Sequence, residues 1–138
     1  MALIVKKFGG SSVGNIDKIK AVAKRILDEK QPDDKIVVVV SAMGDTTDDL
    51  IQLAKGITKD PYQYTREMDM LLTTGEPVSI SLLTMAFKAL GQKAISLTGA
   101  LAGVKTNSVH TKGKIKDIQP KRIFEELDKG NIVIVAGF

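Results

Sequence analysis

Ile36-Val37-Val38-Val39-Val40, running straight into Ser41-Ala42-Met43-Gly44, decides the fold. Five β-branched residues in a row leave no polar alternation, so this strand needs cover on both faces. A parallel sheet with helices on either side supplies that environment. Ile132-Val133-Ile134-Val135-Ala136 reads the same way. Ala94-Ile95-Ser96-Leu97 gives another strand, and Leu3-Ile4-Val5 begins one that continues through Lys6-Lys7-Phe8.

Helical patterns fill the intervals. Ile16, Ile19, Val22, Ala23, Ile26 and Leu27 recur at three- and four-residue spacing, with Lys18, Lys20, Lys24, Asp28 and Glu29 on the other face. Leu50, Ile51, Leu53 and Ala54 predict a helix starting near Thr47, and a further helical segment covers Tyr64 to Leu72. Pro77 to Leu90 is a helix with its proline in the first turn, closed by Gly91. Pro120 opens another, through Ile123, Phe124 and Leu127, which ends at Gly130. Val109 to Ile118 is expected to be extended, with a turn near Gly113. Strands alternating with helices predict an α/β fold, a mainly parallel sheet flanked by helices. With neither an internal repeat nor a linker, one domain is expected.

The 138 residues suit one domain, and 43% hydrophobic with 26% charged residues excludes disordered and collagen-like classes. Apolar runs are far shorter than the ~18 residues of a membrane span, so no membrane partner is expected. No cysteine means no disulfide framework and no thiolate chemistry, and a cytoplasmic setting is expected. Twenty Lys and Arg against sixteen Asp and Glu leave a net charge of +4. An anionic ligand explains that excess as well as nucleic acid does. Lys112, Lys114 and Lys116 have no aromatic residue among them to stack bases, so no nucleic-acid partner is expected. Their bland reading is a solvated strand face. His110 is the single histidine and stands in no metal or triad pattern, so no metal site is expected.

Ligands of such sheets bind outside the carboxyl ends of the strands. Three polar or glycine-rich loops follow strands there: Gly9 to Gly14, Ser41 to Gly44, and Thr98 to Gly103. All three are expected to converge on one edge of the sheet. In the first, Gly9 and Gly10 allow backbone N–H groups to approach an anion, and Lys7 supplies a full charge. Its glycine spacing is neither a Walker loop nor a dinucleotide fingerprint. A tight strand-to-helix turn is the alternative. Asp45, Thr46 and Thr47 suit helix caps, and Glu76 suits the positive end of a helix. The same hydroxyls and carboxylate also suit a small molecule bearing an amino group and carboxylates.

Lys7-Phe8-Gly9-Gly10-Ser11-Ser12-Val13 resembles the opening motif of aspartate kinases, within the amino acid kinase fold. Val39-Val40-Ser41-Ala42-Met43-Gly44 with Thr46-Thr47 is similar to the family's second motif. Leu71-Leu72-Thr73-Thr74-Gly75-Glu76 resembles its Ser-x-Gly-Glu motif. Ala94 to Gly99 with Ala102-Gly103 resembles a fourth, and Ile134 to Phe138 a fifth. The resemblance implies transfer of the ATP γ-phosphate to the β-carboxylate of L-aspartate, with Mg2+ as usual companion. The product, 4-phospho-L-aspartate, leads to lysine, threonine and methionine. By motif, Lys7 would be catalytic, stabilising the transferring phosphoryl group, and Phe8, Gly9, Gly10 and Ser11 would form the ATP phosphate cradle. Ser41 and Thr47 would contact aspartate, Glu76 would bind its amino group, and Lys114 would help hold a carboxylate. Ser11, Pro77 and Leu101 depart from the commoner Thr, Gln and Gln of the family.

The resemblance also implies that residues 1–138 are the N-terminal, substrate-side part of the kinase domain. The nucleotide-binding half and the regulatory ACT domains that follow in the family are not in this sequence. A chain of this extent is expected to be inactive or nearly so alone, and to bind ATP and Mg2+ weakly at most. A homo-oligomer is among the partners the family implies. The alternative is a non-catalytic module for aspartate binding or assembly.

Overall fold

The computed structural model describes residues 2–106 and 115–137, with backbone only for Lys105, Thr106 and Lys116. The chain begins with β1 (Leu3–Phe8), a 3-10 turn (Gly10–Val13) and α1 (Ile16–Glu29). β2 (Lys35–Val40) follows, then α2 (Thr46–Ile57), α3 (Thr65–Leu72) and α4 (Gly75–Ala89). β3 (Ala94–Leu97), β4 (Val104–Thr106), β5 (Ile115–Ile118), α5 (Lys121–Asp128) and β6 (Ile132–Ala136) complete it. The expected α/β class holds. Lys112, Lys114 and His110, with most of the predicted extended run from Val109, lie outside the described residues.

The main sheet has the order β1-β2-β6-β3, and every pairing in it is parallel. Phe8 pairs with Val40, Val40 with Ala136, and Leu97 with Val135, so all four carboxyl ends share one edge. β4 and β5 form a separate antiparallel pair.

Side-chain alternation divides the two apolar strands between two cores. Ile36, Val38, Val40, Ile132 and Ile134 face a core closed by α1 and α4, with Ile19, Ile26, Leu83 and Phe87. Val37, Val133 and Val135 face a smaller one with Leu97, Ala102 and Leu127 of α5. The two-sided burial read from the absence of alternation is therefore real. β1, at the sheet edge, shows the contrast. Ile4 and Phe8 pack on the α1 side, whereas Leu3 and Val5 are 53% and 65% exposed.

α2 behaves differently from its pattern. None of its residues is buried, and Leu53 and Ile57 are largely exposed despite helical spacing. The stretch Thr65–Ala89 is long and apolar enough to cross a membrane by length and composition alone. In the fold it is α3 and α4, whose Met68, Ile80, Leu83 and Phe87 are buried in the protein interior.

Candidate active site

Backbone contacts at the carboxyl edge lock the first two loops together. The Ser41 amide donates to the Phe8 carbonyl at 3.3 Å, and the Gly44 amide to the Gly10 carbonyl at 2.9 Å. Gly10 must be glycine for steric reasons. A Cβ there would stand 2.9 Å from the Ala42 carbonyl oxygen. Gly75, opening α4, meets the same residue from the other side, where its Cβ would fall 2.9 Å from Ala42 Cβ. Ala42 is thus wedged between the first loop and α4, and only two missing side chains make room for it.

This packing frames a cavity of about 410 Å3 lined by Gly10, Ser41, Ala42, Gly44, Thr47, Asp69, Leu72, Thr73 and Glu76. Ser41, Thr47, Glu76 and Gly10 are brought together, as the reading of separate motifs requires. Thr46 donates its hydroxyl to the Met43 carbonyl at 2.5 Å, which fixes the start of α2 and leaves Thr47 at the cavity. Glu76 is the second residue of α4, where the helix dipole favours a carboxylate. Its side chain has no hydrogen-bond or ion-pair partner among the described residues.

Asp69 and Leu72 were not singled out by sequence reasoning. Asp69, Leu72, Thr73 and Glu76 are spaced i, i+3, i+4 and i+7, which is one helix face. Thr73 and Thr74 keep helical backbone angles, so α3 runs almost without break into α4. Their hydroxyls donate back to Met70 at 2.9 Å and Leu71 at 2.7 Å. Extending the helical stripe through these threonines would have found the second carboxylate.

The phosphate-cradle residues lie beside the cavity rather than in it, except for Gly10. Lys7 is exposed near the end of β1, on the face opposite Phe8, and has no partner among the described residues. Gly9 is exposed, with open space where a Cβ would stand. Phe8 packs its ring against the core, so only its backbone faces the site. Ser11 is exposed in the 3-10 turn, and its carbonyl accepts from Lys18 Nζ at 3.1 Å. The Asn15 side chain accepts from the Lys18 amide at 2.9 Å and caps α1. An open glycine, the first amides of a turn and an unpaired lysine suit a phosphate group. The described residues hold no group of three or more His, Cys, Asp or Glu that could ligate a metal by themselves, whereas Mg2+ brought in on nucleotide phosphates needs only one or two protein carboxylates.

The third loop does not join this cavity. β6 lies between β2 and β3, so Thr98 to Gly103 leave the sheet two strands away from Ser41. Lys114 lies outside the described residues. A larger groove of about 520 Å3 runs between α1 and α4, lined by Ile16, Leu82, Met85 and Leu90 with Lys20 and Lys24. It carries no carboxylate or hydroxyl.

Known proteins resemble this chain in sequence and fold. The model of the amino acid kinase family matches residues 2–138. Aspartokinase 2 of Bacillus subtilis is 53% identical over all 138 residues, which cover 33% of that protein. The aspartate kinase from Synechocystis superposes over 99% of this chain and 22% of its own, with a TM-score of 0.81 and 48% identity. E. coli aspartokinase III in complex with aspartate and ADP shares the fold at a TM-score of 0.78 and 19% identity, over 100% of this chain and 41% of its own. The chain spans about a third of the length of the curated aspartokinases it matches. By its sequence over residues 2–138, and with a fold shared with an aspartate kinase at 48% identity, the chain belongs to the amino acid kinase family.

Proposed function

We propose that this chain carries the amino-acid pocket of an aspartate kinase, which transfers the γ-phosphate of ATP to the β-carboxylate of L-aspartate in the cytoplasm. The observation that carries the reading is the cavity joining Ser41, Thr47 and Glu76, from three separate segments, next to Gly10. Glu76 holds the substrate ammonium group, which explains a partly buried carboxylate without a side-chain partner among the described residues. Ser41 and Thr47 hydroxyls orient the amino acid. Among the described residues the cavity lining has two carboxylates and no cation. The substrate's own carboxylates therefore draw on Lys7 at the adjacent strand end and on Lys114.

A carboxylate oxygen attacks the γ-phosphorus while the bond to the ADP oxygen breaks. The nucleophile is already an anion, so no general base is required. The protein's share is positioning and neutralisation of charge. Lys7 offsets charge on the transferring group, and the turn after Gly9 offers backbone N–H donors to its oxygens. Mg2+ would travel with the nucleotide phosphates, and no step here depends on it. Nucleotide-binding groups come from the remainder of the parent enzyme, so the 138-residue chain is expected to bind aspartate without turning over.

Calorimetric titration of the purified chain with L-aspartate tests the reading. Saturable heat, absent with Glu76→Gln, is the expected result, and no heat at millimolar ligand would sink it. Release of ADP dependent on both ATP and aspartate would overturn the expectation of inactivity. Saturable aspartate binding without turnover also fits the non-catalytic module. Fusion to the nucleotide half of a relative separates the two, because only the kinase reading expects aspartyl phosphate, trapped as a hydroxamate.

A further inference from the structure

Ser79, Thr84 and Glu126 are the buried polar or charged side chains among the described residues. Two have local explanations. Thr84 donates to Ile80 of its own helix at 2.7 Å, the usual back-bond of a helical hydroxyl. Glu126 is answered by neighbours at the end of α5.

Ser79 is different. It is 1% exposed, on α4 one turn beyond Glu76. Its hydroxyl lies 2.7 Å from the Ser41 carbonyl oxygen, thirty-eight residues away in sequence, and 3.1 Å from the Glu76 carbonyl oxygen. A helical serine can always use its own i−3 carbonyl, as Thr73 and Thr74 do. Here the shorter contact is to the other segment. One hydroxyl therefore spans the backbone of Ser41 and the backbone of Glu76, two residues that the pocket reading gives to substrate. The spacing it sets is reinforced by the approach of Gly75 to Ala42.

We infer that Ser79 is a positioning residue: its buried hydroxyl fixes the Ser41 loop relative to the turn bearing Glu76, without touching substrate. This rests on the aspartate-pocket reading. Removing the hydroxyl leaves the Ser41 carbonyl without that donor beside a cavity wall, so the loop relaxes and the two substrate contacts lose register.

The test compares two buried hydroxyls on one helix. L-aspartate is titrated into the purified chain as wild type, Ser79→Ala, Ser79→Cys, Thr84→Val and Glu76→Gln, with thermal unfolding of each. Ser79→Ala is expected to lower affinity about tenfold, and Thr84→Val by less than about twofold, at comparable loss of Tm. Ser79→Cys, a weaker donor of similar size, is expected to fall between wild type and Ser79→Ala. Amide shifts in ligand-free Ser79→Ala are expected to change at Ser41 to Gly44, and not in Thr84→Val. Equal affinity losses in Ser79→Ala and Thr84→Val, tracking Tm, would overturn the inference. So would Glu76→Gln weakening binding while Ser79→Ala does not, and that result leaves the pocket reading intact. Wild type that binds no aspartate removes both.

Discussion

Glu76 and Glu126 are both glutamates on helices, and their surroundings are opposites. Glu126 is 4% exposed and fully answered: Arg122 and Lys129 stand 3.2 Å from one oxygen, and the Asn131 amide donates to the other at 2.9 Å. Burial opposes its ionisation, but the bonds and charges of Lys129 and Arg122 prevail and hold its carboxyl below the usual range. Glu76 lines a cavity, shares it with Asp69 and three hydroxyl residues, and has no side-chain partner among the described residues. A carboxylate already satisfied by its own fold has nothing left to offer a ligand. One that the fold leaves unanswered at a cavity does.

Substitutions can break this contrast. The largest effect is expected from Glu76→Gln, which should weaken aspartate binding more than about tenfold while leaving Tm nearly unchanged. A large loss of Tm with unchanged affinity would make Glu76 structural and erase the comparison. Gly10→Ala forces a Cβ against the Ala42 carbonyl, and should cost about 1–3 kcal/mol by overpacking, with aspartate affinity falling too. Denaturant unfolding measures the first and calorimetry the second.

Glu126→Gln should do the reverse of Glu76→Gln, lowering Tm at neutral pH with no change in aspartate affinity. Its pH dependence sharpens the point. The folded carboxyl titrates below an unfolded value near 4.3, so its contribution is whole at neutral pH. That contribution disappears as pH falls through the folded value. Melting curves of wild type and Glu126→Gln should therefore converge on acidification, and a constant gap would refute the assignment. The smallest effect belongs to Lys24→Ala. Its pair with Asp28 at 2.9 Å is exposed on both sides, and Tm should stay within experimental error at any salt.

Much of the fold was legible because it rests on burial patterns that a sequence displays. Ile36 to Val40 and Ile132 to Ala136 show no polar alternation, and both are interior strands flanked on each side in the sheet. Their order was not legible. Ile132 to Ala136 ends the chain in sequence and sits between β2 and β3 in space, because crossover connections carry no record of where they return. The three loops do leave the one carboxyl edge, but only the first two meet at the cavity, because β6 stands between them and the third. α2 shows the opposite failure, since Leu53 and Ile57 have the spacing of a packed face and are exposed. In the candidate site, Ser41, Thr47 and Glu76 were readable from chemistry and resemblance. Asp69 was hidden by treating Thr73-Thr74 as a break, where both threonines keep helical angles. Ser79 was invisible because its significance is a contact across thirty-eight residues.

The place of β6 also bears on the order in which the molecule can assemble. β1 and β2 can pair as soon as residue 40 has been made. Among the described residues β3 has no neighbour in the main sheet except β6, and their register joins Ala94 to Ile132. During synthesis β3 must therefore wait, with neither edge paired in the main sheet, until residues 132–135 have emerged. Such an interval is when an open strand recruits foreign partners. A nascent chain stalled before residue 132 would hold half a sheet and one orphan strand, whereas a few residues more would close both halves at once.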